Sequence, residues 1–218
     1  MYTTTMEQYI LDTNLFFNME PGLNMGKNTK EVLENITKAA RIMKNQKKGE
    51  IYMPPRIVDE FLGFFDSQSL PTAKTFLEYV NIKSPIITNI QFPASTFYNI
   101  IDDIRQRSYR GLTIAEEELV GAVKNKTIPD PNNKKEFEIA VGKHTANLRA
   151  RYRNATRTGF LDSLADLDVI VLAKELDGFL VSADEGVIEW GRKFGVHEIE
   201  AQVFGKKLLA FVREEQVS

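Results

Sequence analysis

No cysteine occurs in the 218 residues, so the chain has no disulfide, no thiolate nucleophile and no thiolate zinc site. Histidine is almost as scarce. His144 and His197 are its only imidazoles, so a metal bound here would be held mostly by oxygen. No apolar run approaches the roughly 20 residues that a membrane helix needs, which excludes a spanning helix and any membrane partner of that kind. The opening residues Met1-Tyr2-Thr3-Thr4-Thr5-Met6-Glu7 lack the basic and apolar regions of an export signal, and the expected location is the cytoplasm. A large net charge of one sign is also missing, the balance being −2 at pH 7. What is present is ordinary for a globular protein: 43% hydrophobic and 27% charged residues. The length suits one well-cored domain, with or without a sizeable insertion, and is too short for two full-sized ones.

Against that background the aspartates stand out. Asp12 closes the apolar run Tyr9-Ile10-Leu11, Asp184 follows Phe179-Leu180-Val181-Ser182-Ala183, and Asp162, Asp166 and Asp168 open a late helix. A short apolar run ending in Asp reads as a buried strand that delivers a carboxylate at its carboxyl end, where open α/β sheets place their ligands. Folding alone gives no reward for gathering carboxylates, because like charges repel and push at least one pKa upward. A hard divalent cation such as Mg²⁺ reverses that cost. Taken singly, each acid has a plainer reading: Asp12 as a turn cap, Asp162 and Asp184 as helix N-caps, Asp168 as a solvated side chain. The joint pattern points to a metal site.

The near-zero net charge hides segregation. Lys143, Arg149, Arg151, Arg153 and Arg157 follow one another with no acid between them, whereas residues 161–168 are acidic. A basic helix beside an acidic pocket fits a polyanion whose backbone lies on the basic surface while a metal acts on it. Arg105, Arg107 and Arg110, with Tyr98 and Tyr109, form a second basic patch. The alternative is a solvated helix face.

The order of elements is alternating at both ends. After the strand through Leu11, a helix is predicted over about 28–47, with Asn28 as N-cap, Glu31 three residues on, and Gly49 ending it. A strand at 50–53 follows, then a short helix opened by Pro54-Pro55 and another from about Pro71 to Val80. Late in the chain come a helix over 161–176 with Leu164, Leu167, Val171 and Leu172 toward a core, a strand at 179–183, a helix over 185–194 and a last helix over 204–212. This βαβα order argues for a parallel sheet covered by helices, because parallel strands need a crossover connection. The middle has no convincing strand. Helices at about 95–109, 113–125 and 134–153, the last two joined by a Pro-Asp-Pro turn at 128–133, make residues 95–156 a helical insertion into a single domain, with the hairpin itself at 113–153.

Ile10-Leu11-Asp12-Thr13-Asn14 resembles the opening strand motif of PIN-domain nucleases. Leu161-Asp162-Ser163-Leu164-Ala165-Asp166 is similar to their central acidic helix, and Leu180-Val181-Ser182-Ala183-Asp184 to their last catalytic strand. The whole length, the hairpin and the spacing of the late acids resemble more narrowly the small protein-only ribonuclease P family, homologues of the Aquifex enzyme, some of whose archaeal members are called RNA ligase partner proteins. The resemblance implies an α/β PIN-like fold and an endoribonuclease that removes the 5′ leader of precursor tRNA with Mg²⁺ or Mn²⁺. It further implies a large homo-oligomer assembled through the helical insertion. Asp12, Asp162, Asp166 and Asp184 would be the catalytic metal ligands, with Asp168 a further one. Hydrolysis at such a site leaves 5′-phosphate and 3′-hydroxyl ends. Arg149, Arg151, Arg153 and Arg157, with Arg105 and Arg107, would bind phosphates.

On a regular helix from Asp162, Asp166 lies about 40° away around the axis and Asp168 about 240°. Asp168 joins the other two only if the helix begins later, or it acts from behind them. Asp59 and Glu60, beside Pro54-Pro55, offer another carboxylate in the PIN manner unless Glu60 faces solvent. Two other functions fit the same residues: a toxin-type PIN endoribonuclease acting on other RNAs, and a non-catalytic RNA-binding partner of an RNA-processing enzyme.

Overall fold

The computed structural model describes residues 6–17, 22–88, 90–124, 132–157, 161 and 163–217. Five parallel strands, β1 (Glu7–Leu11), β2 (Gly49–Met53), β3 (Val80–Ile82), β4 (Phe179–Ser182) and β5 (His197–Glu200), form one sheet in the order β3-β2-β1-β4-β5. β1 is central, with Tyr9 beside Ile51 on one side and beside Phe179 on the other. Successive side chains of a strand point to opposite faces, and Tyr9, Ile10 and Leu11 are all fully buried. Both faces of the sheet are therefore covered, as an all-parallel sheet requires. The Tyr9 ring stacks 5.8 Å from that of Phe179, its neighbour in register, and lies 4.7 Å from that of Phe204.

The helices of the sheet-bearing part are α1 (Asn14–Phe17), α2 (Thr29–Asn45), α3 (Pro55–Gly63), α4 (Leu70–Leu77), α7 (Leu164–Leu176), α8 (Glu185–Lys193) and α9 (Ala201–Val217); α5 (Ala94–Lys124) and α6 (Lys134–Arg157) form a separate hairpin. α2 starts as its sequence dictates. The Asn28 side chain accepts from the Glu31 amide at 2.9 Å, while the Glu31 carboxylate accepts from the Lys27 amide at 2.8 Å. Its stripe of Val32, Leu33, Ile36, Ala39, Ala40 and Met43 is buried. α3 begins on Pro55 with its missing N–H where none is needed.

Several elements depart from the sequence reading. α2 ends at Asn45 and Gly49 opens β2 rather than closing the helix. Val80–Ile82 and His197–Glu200 are edge strands; the first takes up the expected end of a helix, and the second lies where no element was assigned. α7 starts at Leu164, capped by the Ser163 hydroxyl at 3.0 Å from the Ala165 amide, so the helix does not begin at 161. Leu164 is exposed rather than core, and the buried run is Val169 to Ala173. α9 extends over 201–217 instead of 204–212.

Contacts divide the chain into two compact units, residues 1–93 with 161–218, and residues 94–160. The second is a hairpin of two long helices, α5 (Ala94–Lys124) and α6 (Lys134–Arg157). α5 is continuous through 110–112, where the sequence reading placed a break. Gly111 is there for close approach: a Cβ on it would lie 2.5 Å from the Tyr152 ring. Gly111 faces Tyr152, while Glu118 faces His144 and Arg151, so the helices run antiparallel. The hairpin has a thin interior. Among its described residues only Thr96, Arg107, Gly111 and Ile114 are buried, and Leu119, Val120, Val123 and Ile139 are exposed. Most of the Pro-Asp-Pro turn lies outside the described residues. Among the described residues no helix is long and apolar enough to cross a membrane.

Candidate active site

The strand order fixes where a ligand belongs. From β1 the chain builds outward to β2 and β3 and then returns to the other side of β1 for β4. The carboxyl ends of β1 and β4 therefore flank the topological switch point, the crevice where open α/β sheets bind ligands. Asp12 follows β1 directly, and its amide continues the ladder by donating to the Val181 carbonyl at 3.1 Å. Asp184 lies two residues beyond the end of β4. Extending the register that pairs Leu11 with Val181 sets Asp12 opposite Ser182.

Ser182 joins the two acids. Its buried hydroxyl donates to Asp12 Oδ2 at 2.6 Å and accepts from the Asp184 amide at 3.0 Å. The Asn14 side-chain amide also donates to Asp12 Oδ2, at 3.3 Å. Asp184 in turn caps α8, with Oδ1 accepting from the Gly186 and Val187 amides at 2.7 and 3.3 Å. Capping and catalysis are compatible here, because among the described residues no donor is bonded to the Asp184 Oδ2.

Asp12 is 1% exposed. Burial pushes its carboxyl above the usual carboxylate range, and the Asp184 charge pushes the same way, while the bonds from Ser182, Thr13 and Asn14 act in opposition. Glu60, on the exposed side of α3, is raised as well, by partial desolvation and then by the charge of Asp12. Asp12 is thus within electrostatic reach of both Asp184 and Glu60. Among the described residues no three carboxylates or imidazoles converge closely enough to hold a metal ion. Asp162 lies outside the described residues.

The remaining acids separate. Asp166 sits in the first turn of α7. Asp168, two residues on, is about 200° further around the helix and is tied to Arg56, whose Nη1 donates to its Oδ2 at 2.6 Å. The late start of α7 removes the regular-helix relation between Asp162 and Asp166. Ser182 and Arg56 did not emerge from sequence reasoning. Ser182 had one signal, its position two residues before Asp184 on the strand beside β1.

The arginines divide likewise. Arg107 is buried, with Nε 2.5 Å from Asp103 Oδ2 and Nη1 donating to the Thr156 carbonyl, so it braces the hairpin rather than facing a substrate. Arg151 pairs with Glu117 and with Glu118, the latter at 2.8 Å, across the hairpin. Arg105, Arg149 and Arg153 are exposed. Arg157 ends α6, and its side chain lies outside the described residues.

Residues 8–213 match the family model described as a PINc domain ribonuclease. The chain is 35% identical over 207 residues to the RNA-free ribonuclease P of Thermococcus kodakarensis, covering 95% of this chain and 96% of the relative. It is 37% identical over 204 residues to that of Pyrococcus furiosus, covering 94% and 93%. This chain belongs to the RNA-free ribonuclease P family. A Methanocaldococcus jannaschii protein of that name is 31% identical over 213 residues, 91% of this chain and 89% of its own length. The α/β sheet with its switch-point acids is the PIN fold of this family of ribonucleases, and the match takes in both units.

Proposed function

We propose that the chain is a protein-only ribonuclease P, an endoribonuclease that hydrolyses one phosphodiester of precursor tRNA and releases the 5′ leader. The observation that carries the chemistry is the pair Asp12 and Asp184, set at the switch point and joined through the Ser182 hydroxyl. The names borne by relatives across most of the chain's length support the substrate.

The site's donor chemistry fits a hard divalent ion: its side chains offer oxygen only, and the charge crowded around buried Asp12 is of the kind a dication relieves. Asp12, Asp162, Asp166 and Asp184 would hold Mg²⁺ or Mn²⁺, which would supply an acidified water and neutralise charge on the scissile phosphate. Ser182 and Asn14 hold the Asp12 carboxylate in place, and the α8 amides fix one oxygen of Asp184 while the other has no donor among the described residues. Attack by water needs no ribose 2′-hydroxyl, so the tRNA carries a 5′-phosphate and the leader a 3′-hydroxyl.

Arg105, Arg149 and Arg153, exposed on the hairpin, bind phosphates of the substrate. Leu119, Val120, Val123 and Ile139, apolar yet exposed, support packing of hairpins from different copies into a large homo-oligomer. The test is purified protein with precursor tRNA and Mg²⁺, the product's 5′ end being mapped. A single cut at the mature 5′ end is expected. Equal cutting of mature tRNA or mRNA would favour a toxin-type ribonuclease, and no cutting would favour a non-catalytic partner.

A further inference from the structure

A pocket built of carboxylates repels the phosphate chain on which it acts, and the catalytic acids cannot themselves solve that problem. A cation at the pocket's rim can. α3 starts directly after the carboxyl end of β2, and its first turn carries Arg56. Arg56 and Glu60 are four residues apart and share one face of the helix. β2 neighbours β1, so α3 starts at the same carboxyl edge of the sheet that Asp12 occupies.

The ion pair made by Arg56 is lopsided. The Asp168 side chain is only 15% exposed, whereas that of Arg56 is 56% exposed. Among the described residues the guanidinium engages through Nη1 alone, although an arginine has five N–H donors in a planar fork. Arginines that pair with a carboxylate frequently do so through two parallel bonds. Here one corner is anchored, and among the described residues the other edge has no partner and is left to solvent, so it is free to take a phosphate oxygen pair. Asp168 points about 200° away from Asp166 around α7, toward α3, and so aims Arg56.

We propose that Arg56 is a substrate-positioning residue: anchored at one corner by Asp168, it grips with its open edge the phosphate next to the scissile one. The proposal rests on the ribonuclease reading above. It assigns Asp168 the task of orienting a cation rather than holding an ion.

Single-turnover cleavage of precursor tRNA in Mg²⁺ tests it, with the full-length wild type, Arg56→Ala, Arg56→Lys and Asp168→Asn. Substrates are all-phosphate or carry one neutral methylphosphonate at a position flanking the cut. Losing a charge-assisted contact should slow Arg56→Ala by roughly ten- to a hundredfold, with little change in Kd. Arg56→Lys should recover part of the rate, and Asp168→Asn should fall between wild type and Arg56→Ala. At one flanking position the methylphosphonate should slow the wild type by a similar factor and slow Arg56→Ala no further. A merely structural arginine would not produce that position-specific loss of sensitivity. Wild-type rates for Arg56→Ala overturn the proposal. So does a methylphosphonate effect of equal size in wild type and Arg56→Ala at every position, which would leave Arg56 acting on Asp168 alone. If the wild type cleaves no precursor tRNA, the ribonuclease reading fails first and takes this proposal with it, a distinguishable result.

Discussion

Ser182→Ala removes a single oxygen from the centre of the site, and its cost follows from what that oxygen touches. The hydroxyl is 1% exposed, donates to a buried carboxylate at 2.6 Å and accepts from the Asp184 amide at 3.0 Å. A hydrogen bond to a charged group contributes about 1.5–3 kcal/mol, and an amide left without its acceptor adds to the loss. The expected destabilisation is about 2–3 kcal/mol, which for a chain of this size lowers Tm by roughly 4–12 °C. Thermal unfolding of metal-free protein reads the first effect. Cleavage of precursor tRNA below Tm reads the second, because an Asp12 carboxylate without its main donor no longer holds one orientation, and the rate should fall by about tenfold or more. Ser182→Thr keeps the hydroxyl and should restore most of the rate, at some packing cost from the added methyl. If Ser182→Ala unfolds at the wild-type temperature and cuts at the wild-type rate, the hydroxyl does not join the two acids and the site's geometry is misread.

Two further outcomes concern the hairpin. Replacing both Arg149 and Arg153 with Ala should weaken precursor tRNA binding and lower the slope of log K against log salt by about 0.7–0.9 per lost phosphate contact, whereas Arg151→Ala, already paired with Glu117 and Glu118, should change the slope less; filter binding across a salt series checks both, and unchanged slopes would reduce the basic arm to a solvated face. Leu119→Glu with Val123→Glu puts charge on residues that are 66% and 69% exposed, so the folded chain should persist while light scattering reports a smaller assembly; an unchanged mass would refute packing through these side chains.

The parts of the fold that could be read from sequence are those whose signal is local. β1, β2 and β4 are short apolar runs, and α2 announces its start through Asn28 and Glu31. β3 and β5 could not be read because an edge strand has a neighbour on one side only and carries a weaker apolar signal: Val80–Ile82 and His197–Glu200 are short, partly exposed and mixed with polar residues. The continuity of α5 between the helices expected at 95–109 and 113–125 was hidden, because Gly111 is explained by the Tyr152 ring on the other arm, which spacing alone does not show.

The candidate site divides in the same way. Asp12 and Asp184 each follow an apolar strand, so their place at a sheet's carboxyl edge was legible. The Ser182 link spans 170 residues and depends on the β1–β4 register, and the Arg56–Asp168 pair spans 112 and depends on α3 packing against α7. The face of Asp168 could not be settled from sequence because it turns on where α7 begins, and Ser163, rather than Asp162, caps that helix.

The central claim is that the switch-point carboxylates do the cutting and are not there for the fold. Asp12→Asn and Asp184→Asn, assayed for single-turnover cleavage of precursor tRNA in Mg²⁺ alongside their Tm, test it most directly. Removing a charge from a buried group whose carboxyl is already pushed up by desolvation relieves repulsion, so the metal-free Asp12→Asn protein should unfold at or above the wild-type temperature. Both variants should lose at least about a hundredfold in rate. Cleavage at wild-type rates by either folded variant would contradict the assignment.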